Sequence, residues 1–132
     1  QGQLWLEKPP LVPVLYGIIT VYTANPEIST RIFSLLMSII VLVFVYMWIY
    51  KITKNKTISL LTVIITAFNP IYLQRSQVVN TDVFLLIGWL GYFCYFRHFW
   101  KGLFFLLIGV LSKSLLGFYP WIMIFLYTLS PW

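Results

Sequence analysis

Charged residues are scarce in this sequence. Only 9% of its 132 residues are Asp, Glu, Lys or Arg, whereas 61% are hydrophobic and 20% are aromatic. A soluble domain carries about 25% charged residues, so this chain has too little polar surface to cover a soluble core. The composition therefore excludes a soluble globular domain and indicates an integral membrane protein.

Cysteine, histidine and acidic residues are also few. The single Cys94 excludes a disulfide within the chain, and the single His98 has no neighbouring ligand residues in a metal-binding spacing. The net charge of +6 comes from basic residues at the ends of apolar runs, not from a basic face with interleaved aromatics. Nucleic acid is therefore not an expected partner, and no cofactor is indicated.

Long apolar runs joined by short polar stretches predict an all-α, polytopic transmembrane helical bundle. The runs at 31–50, 57–73, 83–96 and 102–119 predict about four spans, and a further span begins at 121. The run at 11–23 is too short to cross a bilayer and contains Pro13 and Gly17, so it predicts an interfacial helix. We expect one piece of a larger transmembrane domain, truncated at both ends, with an outer-face loop and interfacial helix at 1–24 and transmembrane helices at 25–132.

Local signals predict where these helices begin and end. Asn25-Pro26-Glu27 is typical of a helix start, and Glu27 and Arg31 are spaced for a surface ion pair. Asn69-Pro70 predicts a break in the second span, and 74–81 (QRSQVVNT) predicts a polar loop. The fourth helix is expected to be interrupted at 112–114 and halted by Pro120.

The distribution of charge predicts the orientation of the chain. The short stretches at 51–56 and 97–101 hold five Lys and Arg residues and no acid, so the positive-inside rule assigns both to the cytoplasm. All three acids, Glu7, Glu27 and Asp82, then fall on the outer face. Any chemistry is expected at that extracytoplasmic face.

The sequence Glu7-Lys8-Pro9-Pro10 is the first candidate site. A Pro-Pro step disfavours helix before it, so an acid and a base are held side by side on extended backbone. An interfacial anchor, in which Lys8 reaches lipid headgroups, explains the same residues equally well.

Asp82 and Lys113 are the other candidates. Asp82 opens a helix, so helix capping competes with a role in orienting an acceptor or sugar hydroxyl. Lys113 lies between two serines in an apolar helix, where it is either functional or snorkels to outer headgroups. Together Lys8, Arg75 and Lys113 could converge on a lipid phosphate.

The chain contains five features in a recognisable order. They are an E-K-P-P-L motif, a short apolar stretch, a helix opening with an acid and Arg31, a polar loop ending in Thr-Asp, and a later Leu-Ser-Lys-Ser. From Trp5 to Pro120 this order resembles the GT-C membrane glycosyltransferases, and most of all the dolichyl-phosphate-mannose protein mannosyltransferase superfamily with its aminoarabinose lipid A transferase relatives. Two departures are visible. Ser114 stands where that family usually has Gly, and Gln77 stands where members often carry an Arg, with Arg75 further back.

The resemblance implies an inverting enzyme that transfers a sugar from a polyprenyl-phosphate carrier to an acceptor on the outer face. It implies that Glu7 and Asp82 are acids of the catalytic site and that Lys8 lies near the carrier phosphate, with Lys113 as the family's later lysine. The family's principal catalytic Asp belongs to the first outer loop, upstream of Gln1, so this fragment alone is expected to be inactive. The acceptor (lipid, protein or another glycan) is left open.

The alternative class is a membrane transporter or a non-catalytic membrane subunit. A transporter is expected to carry polar groups at mid-membrane in broken helices, whereas the charges here gather on one face. A structural subunit accounts for the helices but not for Glu7-Lys8-Pro9-Pro10 or the polar loop. A divalent metal is left open, although the single carboxylate of Glu7 is not a metal site by itself.

Overall fold

A computed structural model of the chain describes residues 9–129. Over this range the chain is helical, with no strand, and the predicted all-α class is confirmed. The helices are α1 (Leu11–Tyr22), α2 (Pro26–Thr53), α3 (Lys56–Ala67), α4 (Pro70–Ser76), α5 (Thr81–Tyr95), α6 (Phe99–Lys113), a 3₁₀ helix (Ser114–Phe118) and α7 (Tyr119–Leu129).

Two helical segments between residues 9 and 129 are long and apolar enough to cross a membrane. They are α2, with 28 residues, and the continuous stretch Phe99–Leu129, with 31 residues. The pair α3–α4 qualifies only as one broken span or a re-entrant loop, because the two helices are bent by 68°. Two or three segments therefore qualify as candidate spans, against about four predicted, since α5 has only 15 residues and the fourth run continues into α7.

The predicted break at Asn69-Pro70 is present, but it restarts a helix at once. The Asn69 side chain accepts hydrogen bonds from the backbone N–H groups of Ile71 (2.9 Å) and Tyr72 (3.3 Å), which caps α4. The predicted loop at 74–81 is therefore wrong for residues 74–76, which belong to α4, and for Thr81, which begins α5. An N-cap asparagine followed by proline is favourable at a helix start, and here it outweighs the polarity of the residues that follow.

Pro120 does not halt a helix. It is the second residue of α7, where a missing backbone N–H costs little because the first turn has no intrahelical acceptor for it. The predicted interruption at 112–114 is present, because α6 ends at Lys113 and the 3₁₀ helix starts at Ser114.

The start of α2 follows the sequence signal. The helix begins at Pro26, although the Asn25 side chain makes no capping hydrogen bond. Arg31 Nη2 lies 2.8 Å from Glu27 Oε1, and both side chains are largely exposed. This is the surface ion pair that the spacing predicted.

Helix α1 packs on the N-terminal half of α2 and on α5. The buried Tyr16 ring lies edge-on to Phe33 at 5.4 Å and to Phe84 at 6.2 Å between ring centroids. The Tyr16 hydroxyl is hydrogen-bonded to the hydroxyl of buried Ser34 at 2.6 Å. The buried polar ends of both side chains therefore satisfy each other inside the apolar contact.

Helices α5 and α6 approach closely through glycine. A Cβ atom added to Gly88 would lie 2.6 Å from the backbone nitrogen of Gly109 and 2.7 Å from its Cα. Small residues at a helix contact let two backbones come together, which is a common way to pack helices in membranes. Because the obstructing atoms are backbone, the contact tolerates no larger residue at Gly88.

We predict that Gly88→Ala lowers the thermal midpoint of the detergent-solubilised protein, because overpacking of this kind costs about 1–3 kcal/mol. The matched control is Gly17→Ala in the middle of α1, where an added Cβ meets nothing within 4 Å. That control should leave stability unchanged or raise it, because alanine favours helix by about 1 kcal/mol over glycine. Equal thermal midpoints for Gly88→Ala and wild type would contradict this account of the α5–α6 contact.

Candidate functional site

Asp82 joins three helices through its two carboxylate oxygens. Its Oδ1 accepts a hydrogen bond from Lys113 Nζ at 2.5 Å, and its Oδ2 accepts one from Arg75 Nη1. Arg75 belongs to the last turn of α4, Asp82 to the first turn of α5, and Lys113 is the last residue of α6. We call these three side chains the ionic cluster.

Helix capping was the alternative explanation for Asp82, but Asn80 caps this helix. The Asn80 side chain accepts a hydrogen bond of 3.0 Å from the backbone N–H of Asp82, at the N-cap position of α5. The Asp82 carboxylate makes no capping hydrogen bond and is directed to the two cations. The helix dipole still favours a negative charge in this first turn.

Ser114 sets the direction in which the chain leaves Lys113. It has φ 53° and ψ −126°, a region that glycine occupies readily and other residues rarely adopt. The 3₁₀ helix that follows is held against α5, because Trp89 Nε1 donates to the carbonyl of Leu116 at 3.0 Å. The end of α6 that carries Lys113 is therefore fixed by a contact between neighbouring elements.

The ionic cluster is partly open to its surroundings. The side chains of Arg75 and Lys113 are 60% and 41% exposed, whereas that of Asp82 is 25% exposed. Asp82 lies just before the apolar segment that starts at Val83. The hydrogen bond from Lys113 is the largest cause lowering the pKa of Asp82, and the positive charges of Lys113 and Arg75 lower it further against the opposing effect of burial. The carboxylate is therefore ionised, and it is a weak proton acceptor.

A cavity of about 620 Å³ has the ionic cluster on its wall. Arg75, Asn80, Asp82 and Lys113 line it together with several hydroxyl- and amide-bearing residues. Most of the exposed wall is nevertheless apolar surface, and the apolar residues on it include Ile65, Ile71, Leu85 and Leu86. Cavities that bind small molecules have volumes of about 300–1,000 Å³ and combine apolar walls with a few polar groups. This cavity fits a ligand with an anionic head and an apolar chain.

Three of the five site residues predicted from sequence are thus brought together: Arg75, Asp82 and Lys113. Glu7 and Lys8 lie outside the described residues. Val12, four residues after Lys8 in sequence, shares a buried cluster with Phe84, two residues after Asp82. No group of three or more His, Cys, Asp or Glu side chains within residues 9–129 is arranged to hold a metal ion.

Tyr72 and Asn80 are among the cavity residues that were not predicted from sequence. Tyr72 donates its hydroxyl to the backbone carbonyl of Ser38 at 2.6 Å and so connects α4 to α2 at the cavity wall. Asn80 could have been found from its place two residues before Asp82, since Asn is a preferred N-cap residue. Nothing in the sequence distinguishes Tyr72 from the other tyrosines of the chain.

We predict that Ser114→Gly raises the thermal midpoint, because strained backbone of this kind costs about 1–3 kcal/mol in a residue other than glycine. The matched control is Ser29→Gly inside α2, where the added backbone freedom should lower stability instead. A lower midpoint for Ser114→Gly, with the control behaving as stated, would mean that the turn after Lys113 has a different backbone conformation.

Among known proteins, this chain matches one family model. The model described as dolichyl-phosphate-mannose-protein mannosyltransferase matches residues 2–130, which is nearly the whole chain. Searches of curated proteins and of solved structures found no match. The helical architecture, with its long apolar spans, agrees with an integral membrane protein. The chain belongs to the dolichyl-phosphate-mannose-protein mannosyltransferase family of membrane glycosyltransferases that use polyprenyl-phosphate sugar donors.

Proposed function

We propose that this chain forms part of the active site of an inverting glycosyltransferase on the extracytoplasmic face of the plasma membrane. The sugar comes from a polyprenyl-phosphate carrier and passes to a hydroxyl of a lipid, protein or glycan acceptor. The observation that carries the proposal is that Arg75 and Lys113 both contact Asp82 at one wall of a largely apolar cavity. A phosphate attached to an apolar chain is the ligand that this combination of charge and surface fits.

In this proposal the cations stabilise the leaving phosphate. The acceptor oxygen attacks the anomeric carbon from the face opposite the carrier, and the bond from that carbon to the phosphate oxygen breaks. The bonding electron pair stays on the phosphate, where the charges of Arg75 and Lys113 favour it. Positive groups that are already in position when this charge develops require no reorganisation during the step.

Lys8 and Glu7 complete the proposed site. The packing of Val12 against Phe84 supports this assignment, because these residues follow Lys8 and Asp82 by four and two positions. Lys8 is assigned to the carrier phosphate with Arg75 and Lys113, and Glu7 to the catalytic group with Asp82. The acceptor proton goes to the loop Asp that the family resemblance places upstream of Gln1.

Asp82 acts in this site through its neighbours. Both of its oxygens are engaged by cations and its pKa is lowered, so it is poorly suited to take a proton from a hydroxyl near neutral pH. It instead holds the Arg75 and Lys113 side chains at a common point. We therefore assign it as a positioning residue.

We predict that Lys113→Met lowers kcat/KM for sugar transfer by about 10²-fold or more, as expected when a charge-stabilising donor is removed. The assay uses the full-length protein in proteoliposomes with radiolabelled polyprenyl-phosphate sugars. The matched control is Lys56→Met, which makes the same change at an exposed residue where α3 begins, away from the cavity.

Lys8→Ala and Arg75→Gln should also lower kcat/KM in the same assay. Undiminished transfer in all three variants would show that these three cations are not part of the site and act as membrane anchors instead. If wild type moves a labelled lipid or sugar across the bilayer and transfers nothing, the transporter alternative replaces this proposal.

A further inference from the structure

The ionic cluster has a fixed balance of charge. Arg75 and Lys113 are cations, and Asp82 contacts both, so the three side chains together carry one positive charge. Glu7 and Lys8 are oppositely charged neighbours in sequence and do not change this balance as a pair. Residues 9–129 contain one other acid, Glu27, and it is paired with Arg31.

The two forms of the carrier differ in charge. Under the function proposed above, on which this inference rests, these two forms are the donor and the spent carrier. The donor is a phosphodiester with one negative charge. When the acceptor oxygen bonds to the anomeric carbon, the electron pair of the broken carbon–oxygen bond stays on the phosphate and the acceptor proton goes to the base. The spent carrier is then a phosphomonoester, whose second pKa of about 6 gives it nearly two negative charges above neutral pH.

We propose that Asp82 sets the charge of the site to match the donor and thereby promotes release of the spent carrier. With Asp82 present, one net positive charge meets the single charge of the phosphodiester. The phosphomonoester brings a second negative charge that the cluster does not balance and that the Asp82 carboxylate repels. The spent carrier, which has the same lipid chain, is therefore held less tightly than two free cations would hold it.

A purely structural role accounts poorly for the cluster. The cation side chains are 60% and 41% exposed, and exposed ion pairs contribute little to stability because solvent screens them. A role of Asp82 as proton acceptor is opposed by the two cations that contact its carboxylate oxygens. Asp82 can change the electrostatic attraction felt by a bound phosphate without being deeply buried, because its carboxylate contacts the same two cations that would bind the phosphate.

The size of the effect follows from Coulomb's law. Removing the negative charge of Asp82 strengthens the attraction between the two cations and a bound phosphate in proportion to the charge of that phosphate. The change in binding free energy is therefore twice as large for a dianion as for a monoanion. The fold-change in affinity for the monoester should therefore be about the square of that for the diester. With solvent screening, we expect Asp82→Asn to tighten diester binding by about threefold and monoester binding by about tenfold.

The test measures two dissociation constants on the full-length protein in phosphatidylcholine nanodiscs at pH 8 and low salt. One probe is a polyprenyl phosphate, and the other is its methyl phosphodiester, which has the same chain and one charge fewer. Wild type is compared with Asp82→Asn, with Asp82→Glu and with the control Glu27→Gln. The control removes an equal charge from the exposed pair with Arg31.

The proposal predicts that Asp82→Asn prefers the monoester more strongly than wild type does, while Asp82→Glu and Glu27→Gln keep the wild-type ratio. In transfer assays Asp82→Asn should show stronger inhibition by added polyprenyl phosphate. A ratio that is unchanged in Asp82→Asn, or one that shifts equally in Asp82→Glu, would overturn it. So would weaker binding of both probes, which would mean that Asp82 only positions the cations.

Failure of the proposed function has a different signature. Wild-type protein that binds neither probe and transfers no sugar would contradict the transferase itself. Wild-type protein that binds both probes and transfers sugar, with no change of ratio in Asp82→Asn, would contradict only the role of Asp82 in release.

Discussion

The arrangement of the cavity wall depends on one carboxylate held between two cations. Asp82 is contacted by Arg75 from α4 and by Lys113 from α6, so the ends of three helices meet at one side chain. Charges are costly near a membrane unless they face water, a ligand or each other, and these three do face each other. The same contacts leave each cation with further N–H donors for a ligand. The side chains that bring the three helix ends together therefore also offer donors to an anion.

Much of this fold could be predicted from sequence because its signals are local. Composition and apolar runs indicate a helical membrane protein, and Asn-Pro pairs mark the starts of α2 and α4. The Glu27–Arg31 pair follows from its spacing along one helix. These features depend on residues a few positions apart, where the backbone geometry of a helix decides what can meet.

The rest depends on contacts that run between distant parts of the chain. Asp82 and Lys113 are 31 residues apart, and no periodicity relates them. The sequence indicated that both could be functional, but not that one would bind the other. Fewer segments also qualify as candidate spans than the sequence predicted, because hydropathy does not show that α5 stops after 15 residues or that Phe99–Leu129 is one candidate span. Ser114 is an intermediate case. Its positive φ explains why the family usually has glycine at this position, from which this chain departs.

The short length of α5 has a consequence for the bilayer itself. At 1.5 Å per residue α5 is roughly 22 Å long and α2 roughly 42 Å. Phe84 of α5 lies beside Phe33 of α2, and Lys51 of α2 donates to the carbonyl of Cys94 near the other end of α5. If α5 lies across a hydrocarbon layer of about 30 Å, that layer must thin beside it or water must enter at its end, at a cost of a fraction of a kcal/mol per Å of mismatch. For the transferase that we propose, headgroups would then dip toward the cavity and bring the carrier phosphate to the ionic cluster, so bilayer thickness would affect how readily the carrier arrives.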